Sequence, residues 1–249
     1  MTRISEAFKD KKALIVFLMA GDPSLAKTEK LVYEIEKAGA DIIELGIPFS
    51  DSIADGPTIQ EAAIRALKNN VSAADAIKLV KKLRKNTSIP VIFMMSYNIV
   101  FSYGADKFAK EAAAAGVDGL ILPDLPIEEA GQMKKHGMDI IFLVAPNSSE
   151  ERIKLAAKNS SGFIYMISLT GTTGARRTID LDIKGIISSI RKTSKTPIAI
   201  GFGISNPAQA AAAAELADGV IVGSAVIDVI SKKPGRVGKF VASLKKALS

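Results

Sequence analysis

Three carboxylates gather around the end of one apolar segment near the start of the chain. Glu44 stands inside the apolar run 42–45, and Asp51 and Asp55 follow in the next loop. A charged group within a buried strand costs free energy unless it is paired or functional. The strand directs Glu44 either inward or outward. If Glu44 points inward near the top of a barrel, its apolar neighbours raise its pKa and suit it to general acid–base catalysis.

The other acidic residues near predicted strand ends each have a structural explanation as well. Asp55 precedes the Gly-Pro at 56–57, so it is either a functional carboxylate or an N-terminal cap of the helix that starts there. Asp51 and Asp124 are expected to be ordinary loop acids with a weaker claim to function. Asp22, which stands before a proline, is expected to be structural.

Two glycine-containing loops late in the chain have the composition of a phosphate site. They cover 201–205 and 223–224 and follow two successive predicted strands. Glycine lets backbone N–H groups approach an anion, and a helix N-terminus favours negative charge. Ordinary tight turns are the alternative, but two such loops side by side are typical of phosphate binding in barrels. The segment 171–174 is either a third wall of the site or a closing lid.

Two aromatic residues are candidates for a pocket that holds a flat apolar substrate. Tyr165 and Phe202 lie near the carboxyl ends of predicted strands, where they are either core residues or walls of the pocket. The single histidine, His136, lies near a helix end and is expected at the surface.

Apolar runs of strand length alternate with amphipathic stretches of helical length. The predicted strands cover 13–20, 41–46, 90–95, 119–122, 139–144, 163–168, 197–201 and 219–222. The predicted helices cover 24–38, 58–68, 72–85, 105–115, 127–135, 183–191, 207–217, 225–230 and 237–248, and one more begins at a capping box over 148–151. This alternation, without a composition break, predicts one α/β domain over 1–249, a TIM (β/α)8 barrel with extra short helices. A doubly wound open sheet is the competitor, but its glycine-rich signature usually follows the first strand, and the glycines here are late.

Composition excludes several classes of protein. The 249-residue chain has no cysteine and one histidine, so disulfides, thiolate metal sites and multi-histidine metal centres are excluded. The net charge of +7 comes from basic residues spread over predicted helices, which favours solvated helix faces over a nucleic-acid surface. No apolar run is long enough to span a membrane and no apolar signal region is present, so a soluble cytoplasmic protein is expected.

A longer motif contains the early carboxylates. It reads Glu-Leu-Gly-Ile-Pro-Phe-Ser-Asp at 44–51, Ala-Asp-Gly-Pro at 54–57 and Ile-Gln at 59–60. This motif closely resembles the signature of the tryptophan synthase alpha subunit family. The likeness extends along nearly the whole chain, through Phe17 and the segments 21–23, 123–126, 171–174, 201–205 and 223–224.

The resemblance implies a TIM barrel that cleaves indole-3-glycerol phosphate to indole and glyceraldehyde 3-phosphate in tryptophan biosynthesis. Glu44 and Asp55 then fall on the family's catalytic glutamate and aspartate. Phe17, Tyr165 and Phe202 correspond to the family's indole pocket. Thr173 corresponds to its lid threonine, and its phosphate site corresponds to Gly174, Gly203, Gly223 and Ser224. Glu44 is suited to protonate C3 of the indole, and Asp55 to accept a hydrogen bond from the indole N–H. This chemistry requires no metal or organic cofactor.

The resemblance also implies a beta subunit as partner, in an α2β2 complex, with loops 51–57 and 169–180 ordered by ligand. Ser52 stands where the family usually has proline in the loop that contacts the partner. One alternative is another barrel enzyme acting on an indole or ribulose phosphate, but that chemistry requires a catalytic lysine absent from the early strands. The other is a catalytically weak barrel that mainly activates a beta subunit, against which the retention of Glu44 and Asp55 counts.

Overall fold

The computed structural model describes residues 2–51, 55–167, 176–201 and 203–249, with the backbone alone for 176–182. In these ranges nine strands form one sheet, and every strand pair is parallel. The strands are β1 Ala13–Met19, β2 Ile42–Gly46, β3 Val91–Met94, β4 Gly119–Ile121, β5 Asp139–Ile141, β6 Leu143–Val144, β7 Ile164–Ile167, β8 Ile198–Gly201 and β9 Gly219–Val222. Their spatial order is β5-β4-β3-β2-β1-β9-β8-β7-β6.

The sheet closes on itself because its two edge strands are consecutive in the chain. Only Phe142 separates β5 from β6, and the Tyr165 N–H of β7 donates to the Phe142 carbonyl at 3.0 Å. The predicted single strand 139–144 is therefore interrupted at Phe142, with its first part paired to β4 and its second part to β7. The predicted TIM barrel is confirmed, and the open doubly wound sheet is excluded.

Helices surround the barrel and cover its outer face. They are α1 Arg3–Ala7, α2 Leu25–Lys37, α3 Pro57–Lys68, α4 Ala73–Leu83, α5 Tyr97–Tyr103, α6 Ala105–Ala115, α7 Glu150–Asn159, α8 Arg176–Thr193, α9 Pro207–Leu216, α10 Ser224–Lys232 and α11 Val237–Lys246. Two 3-10 helices cover Ile127–His136 and Pro234–Arg236. Among the described residues no helix combines the length and apolar character needed to cross a bilayer.

Several local predictions were wrong in detail. The sequence pattern did not predict α1 or α5, and the helix predicted over 127–135 is a 3-10 helix. The helix predicted over 183–191 begins earlier, at Arg176. The capping box predicted over 148–151 is not formed by the residues that begin α7. Ser149 is the N-cap of α7 and accepts from the Arg152 N–H, whereas the Ser148 hydroxyl accepts from the Ala145 N–H in the preceding turn.

Aspartates stabilise the amino-terminal end of the barrel, opposite the loops that carry the candidate site. Asp41, Asp118 and Asp218 stand just before or at the start of β2, β4 and β9. Each accepts a main-chain N–H at or next to the start of a neighbouring strand, from Leu14, Val91 and Ile198 at 2.8, 2.8 and 2.9 Å. These aspartates thus act as side-chain acceptors where the sheet ladder begins.

Candidate active site

Glu44 is held inside the barrel by the rigid strand β2. It lies opposite Phe17 of β1 and Ile92 of β3, and its relative exposure is 1%. Its side chain lines a cleft at the carboxyl end of the strands, so the inward orientation is the correct alternative. Among the described residues its Oε2 has no hydrogen-bond partner. A buried carboxyl oxygen that no protein group satisfies is suited to meet a substrate.

Burial and a neighbouring charge both favour the protonated form of Glu44. Burial is the larger cause and the Asp55 carboxylate the smaller, and together they raise the pKa of Glu44 from 4.5 to about 8. Glu44 is therefore mainly protonated at neutral pH and can donate a proton. After donation it becomes a base strong enough to recover one.

Asp55 lines the same cleft from the start of α3. The helix-cap alternative does not apply, because Gly56 occupies the N-cap position and makes no side-chain cap hydrogen bond. The Asp55 main-chain carbonyl accepts from the Gln60 side-chain amide at 2.9 Å. The carboxylate is thus placed at the junction between the loop after β2 and a packed helix.

Phe17 and Tyr165 form aromatic walls of the cleft, and two glycines make room for their rings. A Cβ at Gly46 would stand 2.5 Å from the Phe17 ring, and one at Gly201 would stand 2.5 Å from the Tyr165 hydroxyl oxygen. Burial, with the charges of Glu44 and Asp55, raises the pKa of Tyr165 well above its ordinary value, so the phenol stays neutral.

Glycine-rich turns and a helix N-terminus form another wall of the same cleft. Gly203 has a φ of 76°, a conformation that glycine adopts without strain, and Gly223 is the N-cap of α10. Ser224 begins α10, and both Gly223 and Ser224 line the cleft. The first N–H groups of a helix lack intrahelical partners and carry partial positive charge, so they can bind a phosphate.

A second compartment opens beside this cleft toward the surface. The two share Phe17, Asp55 and Met94. The outer compartment is lined in addition by Met19, Gly46, Ile47, Phe49, Asp51, Met95, Ser96, Asn98, Pro123 and Asp124. Asp51 and Asp124 therefore face the outer mouth rather than Glu44.

Three other residues that the sequence singled out, two aspartates and the histidine, make structural contacts. Asp124 accepts from the Ser96 hydroxyl at 2.6 Å and the Tyr97 N–H at 2.7 Å, so it secures the start of α5. Asp22 is buried and pairs with Arg65 through two contacts of 2.8 Å. His136 lies at the end of a 3-10 helix and meets Asp106 at 3.0 Å.

Several predicted positions lie outside the described residues. These are Ser52, Phe202, Thr173 and Gly174, with part of the 169–180 segment. Ile204 and Ser205, from the loop 201–205 that the sequence indicated for phosphate binding, also line the cleft. The sequence assigned no site role to the cleft residues Gly56, Ile59, Met94, Ile221 and Ala225. Position could have indicated Met94 and Ile221, because both stand at or next to the carboxyl end of a strand. Among the described residues no group of three or more His, Cys, Asp or Glu side chains is arranged to hold a metal ion.

Comparison with known proteins gives the family. The model of the family described as tryptophan synthase alpha chain matches residues 5–248. The chain belongs to the tryptophan synthase alpha chain family. It therefore has a lyase-type role in tryptophan biosynthesis.

Individual members of the tryptophan synthase alpha chain family match over almost their whole length. The tryptophan synthase alpha chain of Geobacter sp. (strain M21) is 45% identical, covering 100% of this chain and 98% of that protein. The crystal structure of tryptophan synthase subunit alpha from Legionella pneumophila str. Paris is 37% identical with a TM-score of 0.90, and the match covers 100% of this chain and 98% of that chain. A chain of the aminoacrylate-bound tryptophan synthase from M. tuberculosis is 32% identical with a TM-score of 0.90, covering 100% of both.

Proposed function

We propose that this chain cleaves indole-3-glycerol phosphate to indole and glyceraldehyde 3-phosphate, as a carbon–carbon lyase. One observation carries the proposal. A buried, largely protonated Glu44 shares its cleft with Asp55, two aromatic walls and the N-terminus of α10. These are the groups that a substrate with an aromatic ring at one end and a phosphate at the other requires.

The phosphate binds at the glycine-rich wall, through Gly203, Gly223 and Ser224. The N-terminus of α10 and the glycine turns supply N–H donors there. Gly174 is assigned to the same phosphate site through the family resemblance. The indole ring lies against Phe17 and Tyr165. Phe202 and the lid residue Thr173 are assigned through the family resemblance too.

Glu44 acts first as an acid and then as a base. Protonation of indole C3 by Glu44 gives an iminium-like tautomer whose positive charge is stabilised by Asp55 at the ring N–H. Glu44 then takes the proton from the glycerol hydroxyl next to C3. The electrons of that O–H bond form the aldehyde, the carbon–carbon bond breaks, and its electrons return to the indole ring. The net change is cleavage without oxidation, and no cofactor takes part.

The lack of lysine in the described strands favours this lyase reaction over the reactions of other barrel enzymes that bind phosphate substrates. None of the nine described strands contains a lysine, the residue on which indole-3-glycerol phosphate synthase depends. The cleft that holds Glu44 is likewise lined without a lysine among the described residues. The candidate acid–base groups there are therefore carboxyls.

The chain works as one domain over 1–249 with a beta subunit, in an α2β2 complex. The family's description as an alpha chain and the likeness to a chain of a tryptophan synthase structure support this partner. A cytoplasmic location follows from the same family assignment. We expect ligand in the cleft to act on the segments that precede α3 and α8, and each subunit to raise the activity of the other.

The test is cleavage of indole-3-glycerol phosphate by the purified chain, with and without a beta subunit. Indole and glyceraldehyde 3-phosphate are measured separately and are expected in equal amounts. Indole formation should increase when the beta subunit is added. A chain that activates a beta subunit but forms no products would show that it serves mainly as an allosteric activator. A chain that does neither would contradict the proposal as a whole.

A further inference from the structure

The side chain of Gln60 forms a hydrogen bond with the loop that precedes its own helix, α3. It lies in the first turn of α3, and its side-chain Nε2 donates to the Asp55 main-chain carbonyl at 2.9 Å. Gly56 stands between Asp55 and the first helical residue and provides no side-chain cap. Because glycine restricts the backbone least, the orientation of Asp55 relative to α3 depends on contacts such as the one from Gln60.

Helix α3 is itself firmly held, so Gln60 is anchored to a rigid element. Ile59, Ala62, Ala63 and Ala66 are buried against the barrel. Arg65 pairs with buried Asp22 through two contacts of 2.8 Å, and the Asn69 side-chain amide donates to the Pro23 carbonyl at 2.8 Å. The loop after β1 thus braces the far end of the same helix.

We propose that Gln60 is a positioning residue for Asp55, whose carbonyl it holds so that the carboxylate stays in the cleft beside Glu44. The expected effect on turnover rests on the proposed function. The hydrogen bond from Gln60 to the Asp55 carbonyl does not, because it lies outside the cleft. Gln60 is exposed and does not line either compartment. It therefore acts through Asp55 and does not touch the substrate.

The consequence for turnover follows from the small tolerance of catalytic geometry. A charged group displaced by about 1 Å loses much of its effect, and one hydrogen bond is sufficient to bias a loop residue between two positions. Loss of the Gln60 contact should therefore lower kcat about tenfold. KM should change little, because the aromatic walls and the phosphate wall keep their geometry.

The first experiment compares kcat and KM for indole-3-glycerol phosphate in Gln60→Met, Gln60→Glu and wild type. Methionine has similar length but no donor, and glutamate places an acceptor oxygen against the Asp55 carbonyl. Both are expected to lower kcat, with glutamate the more harmful. Lys68→Met, which introduces the same residue at an exposed position at the end of α3, is the control and should leave both constants unchanged. Because Gln60 is exposed, all variants should keep the wild-type thermal transition.

The second readout needs no turnover. The charge of Asp55 raises the pKa of Glu44, and the charge of Glu44 in turn raises the pKa of Tyr165. The side chains opposite Glu44 on the neighbouring strands, Phe17 and Ile92, are uncharged. The Glu44 carboxyl can be titrated by carbon NMR, with its signal assigned by its loss in Glu44→Gln. If Gln60 holds the Asp55 charge near Glu44, the pKa of Glu44 falls in Gln60→Met and stays at the wild-type value in Lys68→Met.

The outcomes separate this inference from the proposed function. If wild type does not cleave the substrate, the proposed function fails, and the titration of Glu44 alone decides the role of Gln60. A wild-type kcat in Gln60→Met would overturn the inference. A lower kcat with an unchanged Glu44 titration would overturn it as well, because the loss would not then arise from a displaced Asp55.

Discussion

At the scale of single residues, Glu44 shows how one carboxyl group can serve as both acid and base. The same burial that makes its charge costly raises its pKa to about 8, and the nearby Asp55 adds to the effect. The family resemblance assigned Glu44 and Asp55 their catalytic roles. The apolar run alone gave the buried strand but left open which way Glu44 points, because side-chain direction depends on the register with β1 and β3.

The first residue-scale prediction concerns pH and rate. Since Glu44 must be protonated to donate a proton to C3, kcat/KM for indole-3-glycerol phosphate should fall above about pH 8. Asp55→Asn removes a charge that raises this pKa, so the remaining activity should begin to fall at lower pH. Asp51→Asn, in the outer compartment, is the control and should leave the profile of the isolated chain unchanged. A descending limb at the wild-type position in Asp55→Asn would contradict the assignment.

The second residue-scale prediction concerns pH and stability. The pKa of Glu44 is about 8 when folded and 4.5 in its ordinary state, so the folded chain keeps a proton that the unfolded chain loses. Its contribution to stability is therefore full below about pH 4.5 and is lost as pH rises through about 8. Glu44→Gln avoids this loss. Its free energy of unfolding relative to wild type should rise by a few kcal/mol between about pH 5 and about pH 9, measured by urea denaturation. A constant difference would argue against a raised pKa.

At the scale of elements, glycines at the ends of strands shape the pocket because they have no side chain. Gly46 ends β2 and Gly201 ends β8, and each leaves space for an aromatic ring from a neighbouring strand. The sequence suggested phosphate binding for the loop that begins at Gly201, and the structure adds that a Cβ at Gly201 would meet the Tyr165 side chain. A pattern of single residues cannot reveal such a contact, because it depends on the register between two neighbouring strands.

The element-scale prediction is that Gly201→Ala damages the pocket more than the fold. The added Cβ would stand 2.5 Å from the Tyr165 hydroxyl oxygen, so the ring must move. We expect at least a tenfold loss of kcat/KM, with a stability cost of about 1–3 kcal/mol from overpacking. Gly185→Ala in α8 is the matched control, because a Cβ there meets open space and alanine favours the helix. Wild-type kinetics in Gly201→Ala would show that the ring position is unimportant.

The elements that sequence reasoning misjudged share a physical cause. Helix α5 begins shortly after β3, and its start is secured by Asp124 from another loop, a contact that its local sequence cannot reveal. The interruption at Phe142 arises where one strand pairs with different neighbours at its two ends. Long amphipathic helices and buried parallel strands were predictable, because burial alone fixes their periodicity.

At the scale of the whole molecule, the two ends of the barrel divide stability from chemistry. The amino-terminal end is secured by aspartates that accept N–H groups of neighbouring strands. Asp118, for example, contacts the Val91 N–H at 2.8 Å, Arg84 at 2.6 Å and Arg3 at 2.7 Å. The carboxyl end carries the Glu44 cleft and the outer compartment.

The whole-molecule prediction follows from this division. Asp118→Ala leaves the Val91 N–H and the largely buried Arg84 without their acceptor, so it should cost about 3 kcal/mol of unfolding free energy. The kcat of the folded fraction should stay at the wild-type value. Asp228→Ala, which removes an exposed pair with Lys232, is the control and should cost less than about 1 kcal/mol. A large loss of kcat in Asp118→Ala would show that the two ends are coupled.

The central claim is that Glu44 transfers the protons that break the carbon–carbon bond. Its most direct test is the rate of indole release from indole-3-glycerol phosphate by Glu44→Gln, measured with a beta subunit present. We expect kcat to fall at least about 100-fold, with glyceraldehyde 3-phosphate binding retained. Glu61→Gln makes the same exchange at an exposed position on α3 and should keep the wild-type rate. Turnover by Glu44→Gln within tenfold of wild type would contradict the account.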